Sequence, residues 1–226
     1  MSETNNQQEQ DKVILIDKPL RWTSFDIVKK VRYSLKIKKV GHAGTLDPLA
    51  TGLLILCTGK KTKQIEEFMG LEKEYTGKLV IGKTTPSVDL ETSFESEKSW
   101  EYIFPEDCIK ISNTLTGEIS QIPPAHSAVM VKGKRSYELA RKGEKVELKP
   151  RNVLIKNFTL SNIDLPEIEF KIICSKGTYI RSLVRDFGEL LGTGAYLAEL
   201  RRTRIGSFDV KDSLQIDQIN TLHDNS

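Results

Sequence analysis

Three features of the sequence predict an α+β fold. Apolar or alternating runs of strand length recur along the chain, and five segments between them carry helical periodicity with recognisable starts and stops. The composition, 38% hydrophobic and 29% charged over 226 residues, suits a folded globular protein, and no apolar run approaches a membrane span.

The elements follow in order. Met1 to Asp11 is rich in Ser, Glu, Asn and Gln and reads as a disordered polar tail, neither a signal nor a transit peptide. Val13-Ile14-Leu15-Ile16 is a short buried strand, and Asp17 to Ser24 is a turn. A helix is expected over Ser24–Ile37, with Thr23 and Asp26 as a capping box and Val28, Val31 and Leu35 on one face. Leu53–Thr58 reads as a strand, Gly59–Met69 as a short helix stopped by Gly70, and Tyr75–Gly82 as the next strand. Thr84 to Asp89 is a polar turn with side chains suited to capping its own backbone. A helix is expected over Pro105–Leu115, and Pro123-Pro124 must run as a stiff extended strip. Ser136–Lys142 is helical, Arg151–Leu160 and Glu167–Ser175 are strands, and a strong amphipathic helix carries Ile180, Leu183, Val184, Phe187 and Leu191 before Gly192 ends it. Tyr196–Arg204 alternates like a strand. The folded domain is expected to span 12–210, with 211–226 a short C-terminal helix or tail.

Net charge is only +3 but unevenly placed. Lys29 to Lys39 carries six basic residues and no acid; Val131 to Arg151 carries eight against three, and Lys171 to Ile205 seven against three. Pro86 to Asp107 reverses this with seven acids and one lysine. A charge run is usually a solvated face, but three basic stretches offset by one acidic one suit a polyanion such as nucleic acid. Cys57, Cys108 and Cys174 are far apart and read as buried free thiols of a cytoplasmic protein. His42, His126 and His223 are scattered and there is no Cys/His cluster, so the sequence offers no metal site; no cofactor is expected either.

The stretch that organises the chain is Gly41-His42-Ala43-Gly44-Thr45-Leu46-Asp47-Pro48-Leu49-Ala50-Thr51-Gly52-Leu53-Leu54. Its glycines permit left-handed angles, Pro48 extends Asp47, and the following strand anchors the loop, so one carboxylate is presented at the edge of a buried scaffold. Read alone, the cluster also fits ordinary turn chemistry. The whole string resembles the catalytic motif of the TruB family of pseudouridine synthases, which modify uridine-55 of tRNA. Lys18-Pro19 with Trp22-Thr23-Ser24, Thr85 to Asp89, Gln121-Ile122-Pro123-Pro124 through Gly133-Lys134-Arg135, and Lys176-Gly177-Thr178-Tyr179-Ile180-Arg181 resemble its other motifs. Arg21 stands where glycine is common, His126 where tyrosine or phenylalanine is common, and Met130 where lysine is common.

The resemblance implies the pseudouridine-synthase fold: a mixed, largely antiparallel sheet flanked by helices, with a central RNA-binding cleft. It implies that Asp47 is the catalytic residue, that Arg181 pairs with it, and that Tyr75 packs against the flipped uracil. Leu200 is expected against the target base, and His42 in the gap left by that base or in a structural role. Lys18, Tyr179, Lys132 and Arg135 are expected among the substrate-binding residues, and the basic helix after Ser24, the turn from Lys132 to Arg135 and the run from Arg201 to Arg204 are expected to grip phosphates. Taken without the motif, Tyr75 reads more readily as a core or interface tyrosine and Arg181 as a solvated helix arginine. The expected partner is the T-arm stem-loop of tRNA, bound by a monomer with no membrane, and the C-terminal PUA domain of many relatives is not expected here. The chemistry needs an ionised carboxylate, a flipped base and phosphate contacts. Two other classes keep part of this pattern: an RNA-binding protein without catalysis, and an N-glycosidic hydrolase, which would normally use paired carboxylates.

Overall fold

The computed structural model describes residues 11–222 except 128, 132 and 145. The tail segment 1–10, Lys132 and His223 therefore lie outside the described residues. β1 (Val13–Lys18) turns into α1 (Ser24–Ser34), and β2 (Val40–His42) and β3 (Ala50–Thr58) follow. A 3-10 turn (Gly59–Gln64) and α2 (Ile65–Gly70) lead to β4 (Lys73–Ile81). β5 (Lys83–Thr84) and β6 (Ser96–Glu97) pair with each other, and α3 (Pro105–Thr114) precedes β7 (Gly117–Gln121). β8 (Met130–Val131) and β9 (Lys134–Arg135) form a hairpin before α4 (Ser136–Ala140). β10 (Arg151–Asp164), β11 (Glu167–Cys174), α5 (Ile180–Leu191), β12 (Ala195–Ile205) and β13 (Phe208–Asp209) follow, then two 3-10 segments, Val210–Asp212 and Ile216–Leu222.

The chain divides into two compact units, Met1–Tyr75 with Leu200–Ser226, and Thr76–Glu199. In the first unit β3 is the central strand. It pairs antiparallel with β1 and β2, and parallel with β12 through Leu200↔Ala50, Arg201↔Thr51 and Arg202↔Gly52. β3 is buried on both faces, which is why its sequence is an unbroken apolar run. Ile14, Ile16, Leu54 and Leu56 face α1, where Ile27, Val28, Val31 and Leu35 meet them. Leu53, Ile55 and Cys57 face the other way, towards Ala43, Phe68 and Ile205. The described residues after β13 form the two 3-10 segments: Leu214 bonds the backbone of Leu15 and Asp17, and Ile219 is fully buried in the α1 core.

In the second unit the first half of β12 lies beside β4, then β11, β10 and β7, with β10 antiparallel to both its neighbours. α3 packs on α5 and β10, and Phe158 meets Phe170 and Phe187 with ring centroids 6.1 and 5.8 Å apart. The fold is thus α+β with a mixed, largely antiparallel set of strands flanked by helices, as expected. Among the described residues, no helix is long and apolar enough to cross a membrane.

The capping box at Thr23 and Asp26 forms as predicted. α1 stops three residues before the predicted Ile37, because Leu35 caps it and Lys36 takes a left-handed φ of 52°. The predicted helix from Gly59 begins as a 3-10 turn instead. β2 and β7 have too few residues for alternation to be seen in sequence. All three cysteines are buried and outside any disulfide, and burial pushes the thiols of Cys57 and Cys108 up to about 11.

Candidate active site

The first unit fixes the backbone of the Asp47 loop from several sides. Ala43 N–H donates to Ile55 O (2.8 Å), tying the start of the loop to β3. Ser24, the first residue of α1, accepts from Leu46 N–H (2.9 Å) and donates back to Leu46 O (3.2 Å) through one buried hydroxyl. Arg21 N–H donates to Pro48 O (2.8 Å). Leu46 is itself buried, so the half-buried Asp47 sits between a hydrophobic plug and a proline carbonyl that is held in place.

Two buried cations complete the support. Arg202 is 1% exposed; its Nε donates to Leu53 O (2.7 Å) and its Nη2 to Gly44 O (3.1 Å), clamping both ends of the loop. Gly52 has φ 100°, and a Cβ there would lie 2.2 Å from Arg202 O, so the motif's last glycine is what lets β12 approach β3. Lys18 is fully buried, and its ammonium donates to Trp22 O (2.7 Å), Pro19 O (2.9 Å) and Pro48 O (3.4 Å). Burial lowers its pKa to about 8; the Asp47 carboxylate opposes the shift and Arg202 adds to it. Lys18 was expected to bind substrate. With no exposed surface and its charge spent on three carbonyls, it is instead a brace beneath the loop.

His42 lies on β2 opposite Leu56, half-buried, and its Nδ1 is buried without a hydrogen-bond partner among the described residues. Burial, then the charge of Arg202, lowers its pKa, so the ring is neutral near pH 7. Leu200 is half-buried and pairs with Ala50 at the end of the loop, and Tyr75 is buried on β4. The basic run after Leu200 is not a phosphate grip. Besides the buried Arg202, Arg201 makes a two-point pair with Asp17 (2.6 and 3.0 Å), and Arg204 meets Glu72 (3.1 Å) and Gly206 O (2.7 Å).

The second unit builds a seat for Arg181, which is 4% exposed on the first turn of α5. Its Nη1 donates to Ser87 O (3.0 Å) and its Nη2 to His126 O (2.8 Å), while Nε stands 3.7 Å from the buried carboxylate of Asp89. The turn from Thr85 to Asp89 is shaped for this. Thr85 Oγ1 donates to Asp89 O (2.6 Å), Leu197 N–H donates to Val88 O (2.9 Å), and Val88 holds a left-handed φ of 62°, a strained angle for a β-branched residue. Asp89 accepts from Glu91 N–H (3.0 Å), the local capping expected of it, but also faces Arg181, which sequence reading did not see.

The Gln121 to Pro124 strip orients α5. The Gln121 amide makes both bonds to the Tyr179 backbone (2.8 and 3.1 Å), and Ile122 O accepts from Ser182 Oγ (2.8 Å) and Arg185 Nη2 (3.1 Å). Arg151 lies over the Tyr179 ring at 5.1 Å. Arg135 is exposed on the β8–β9 hairpin opposite the exposed Met130, the residue that departs from lysine. Arg21, the departure from glycine, adopts φ 65°, an angle at which glycine is unstrained.

Comparison with known proteins identifies the family. The model of the TruB family pseudouridylate synthase N-terminal domain matches residues 32–180, and that of the tRNA pseudouridylate synthase B C-terminal domain matches 181–225. The tRNA pseudouridine synthase B of Flavobacterium johnsoniae is 51% identical, covering 90% of this chain and 92% of its own length. That of Parabacteroides distasonis is 54% identical over 86% and 85%. Among solved structures, a chain of the crystal structure of a Cbf5–Nop10–Gar1 complex superimposes with a TM-score of 0.74 at 26% identity; the match covers 98% of this chain and 58% of that one.

Proposed function

Because the chain belongs to the TruB family of pseudouridylate synthases, we propose that it isomerises uridine-55 in the T-arm loop of tRNA to pseudouridine, with Asp47 as the catalytic residue. The reaction breaks the bond from C1′ to N1 and rejoins C1′ to C5 of the same uracil, so the product is an isomer of unchanged mass. The observation that carries the reading is the bracing of the Asp47 loop. Backbone carbonyls on both sides of one carboxylate are fixed by Ser24, Lys18, Arg21 and Arg202, which is the preorganisation a single nucleophile or charge stabiliser needs.

Arg181 is the proposed partner of Asp47, a planar cation that keeps the carboxylate ionised. Its seat on Ser87, His126 and Asp89 would leave it little freedom to swing away. The buried ring of Tyr75 holds the extruded uracil, Leu200 lies against it, and the neutral His42 ring fills the gap in the RNA stack. Tyr179 and Arg135 contact the RNA. The enzyme works as a monomer in the cytoplasm. The paired carboxylates of a glycoside hydrolase have no counterpart in this reading, since Asp89 is committed to Arg181.

The test is incubation of the purified chain with unmodified tRNA transcript, followed by mapping of pseudouridine. The expected result is modification at position 55 by the wild type and none by Asp47→Asn. Release of free uracil, or an Asp47→Asn rate of a tenth of wild type or better, refutes the assignment.

A further inference from the structure

The solvent face of α1 has a composition that its place in the core does not explain. Ile27, Val28 and Val31 bury the inner face. Outward, Phe25, Lys29, Arg32 and Tyr33 follow one another at i, i+4, i+7 and i+8, a single stripe of the helix. Tyr33 is 85% exposed and Phe25 54% exposed, with the Lys29 ammonium 4.8 Å over the Phe25 ring. Lys36, just past the helix, carries the stripe on, and a shallow hollow of about 670 Å³ lies among Lys29, Lys30, Arg32, Tyr33, Ser34 and Lys36. Among the described residues one acid tempers it: Asp26, 3.9 Å from Lys29. Among the described residues no carboxylate pairs with Arg32 or Lys36.

The stripe starts at the reaction loop. Arg21 and Ser24 hold Pro48 and Leu46, the neighbours of Asp47. At about 1.5 Å per residue, Lys29 lies about 8 Å and Tyr33 about 14 Å down the helix from Ser24. One strand advances about 3.4 Å per nucleotide, so the stripe has the length of roughly two to four nucleotides.

We propose that this outward stripe of α1, with Arg21 at its near end and Lys36 at its far end, is a phosphate track for the RNA strand that leads away from the reacting uridine. The inference rests on the RNA-modifying reading above and gives that reading a specific surface. Arginine and lysine supply phosphate contacts, and the two exposed rings offer faces to sugars or bases. An anionic membrane is the poorer fit, because a helix that lies in a membrane exposes its apolar face, and here that face is buried.

The test is the salt dependence of tRNA binding by the full chain, measured by filter binding over a series of KCl concentrations. Arg32→Ala combined with Lys36→Ala should lower the slope of log affinity against log salt by about 1.4 to 1.8, two phosphate contacts' worth, and weaken binding at low salt about tenfold. The control pair Lys110→Ala with Lys211→Ala, exposed basic residues elsewhere, should leave the slope alone. Circular dichroism checks that the variants are folded, which substitutions at exposed positions should preserve. An unchanged slope in the folded double variant overturns the proposal. So does loss of binding to phosphatidylserine vesicles while tRNA binding stays intact. A chain that needs the stripe to bind tRNA yet makes no pseudouridine would overturn the catalytic reading and leave the track standing; full modification with an unchanged slope would do the reverse.

Discussion

Lys18→Met separates two roles of one ammonium. In the folded chain the Lys18 pKa falls from 10.5 to about 8, chiefly because the group is buried, and that drop corresponds to roughly 3 kcal/mol against the charged form. Below pH 8 both folded and unfolded chains hold the proton, and the folded state bears the full penalty. Between about pH 8 and 10.5 the unfolded chain binds more protons than the folded one, so this residue's contribution to stability rises with pH. The variant lacks that rise. Urea unfolding of both proteins from pH 7 to 10.5 should therefore show the wild type gaining on Lys18→Met by roughly 2 to 3 kcal/mol, other titrations cancelling in the difference. At pH 7 the variant is relieved of the charge but leaves Trp22 O and Pro19 O without their donor, at about 1–3 kcal/mol for each buried acceptor left unpaired. Activity should move the other way. Once Lys18 is neutral, the loop loses a charged brace and Asp47 a nearby cation, so wild-type kcat should decline with a midpoint near pH 8. That limb should be absent from Lys18→Met, whose activity is lower throughout. A constant stability difference from pH 7 to 10.5, or an alkaline limb retained in the variant, refutes the reasoning.

Three further outcomes are expected. Arg181→Lys keeps the charge but not the planar fork that meets Ser87, His126 and Asp89, and should lose about a hundredfold or more in single-turnover rate; near-wild-type turnover would show that the fork is idle. Arg21→Gly removes a left-handed non-glycine residue, worth about 1–2 kcal/mol, and adds unfolded-state entropy worth about 0.5–1, so thermal unfolding should show a stability unchanged or raised by up to about 1.5 kcal/mol; a clear loss would mean that the arginine side chain, not its backbone angle, matters there. An isolated T-arm hairpin should be modified with a kcat/KM within about tenfold of full tRNA, a gap of roughly 1.4 kcal/mol, and a thousandfold deficit in side-by-side kinetics would place essential contacts elsewhere on the tRNA.

The elements were legible wherever a local signal existed. The capping box at Thr23, the unbroken apolar run of β3, the alternation of β11 and the glycine stop after α5 each depend on near neighbours in sequence. What escaped were elements whose partners are distant. β7 is five residues long and is a strand only because β10 lies beside it, and β12 pairs parallel to β3, a register no periodicity could disclose. The end of α1 was misjudged for a related reason: Lys36 is a good helix former, but its left-handed turn lets Ile37 N–H reach Arg32 O and Ile37 enter the core.

The site shows the same division more sharply. Asp47 could be found because its loop advertises itself with glycine and proline. Its supports could not, because a buried cation and a solvated one are spelt alike. Arg202 sits in a run with Arg201 and Arg204 that reads as a phosphate grip, yet its fork is spent on Gly44 and Leu53 carbonyls, and its neighbours are held by Asp17, Glu72 and Glu74. The physical reason is that a loop bent to present one carboxylate turns some carbonyls inward, away from water and from any ladder, and each needs a donor. Long cationic side chains can reach several such oxygens at once, as Lys18 and Arg202 do. The Lys18 ammonium also interacts electrostatically with the Asp47 carboxylate. The basic residues left for RNA are then those with no carbonyl or carboxylate to serve, and among the described residues of the first unit Arg32 and Lys36 on the outer side of α1 meet that condition.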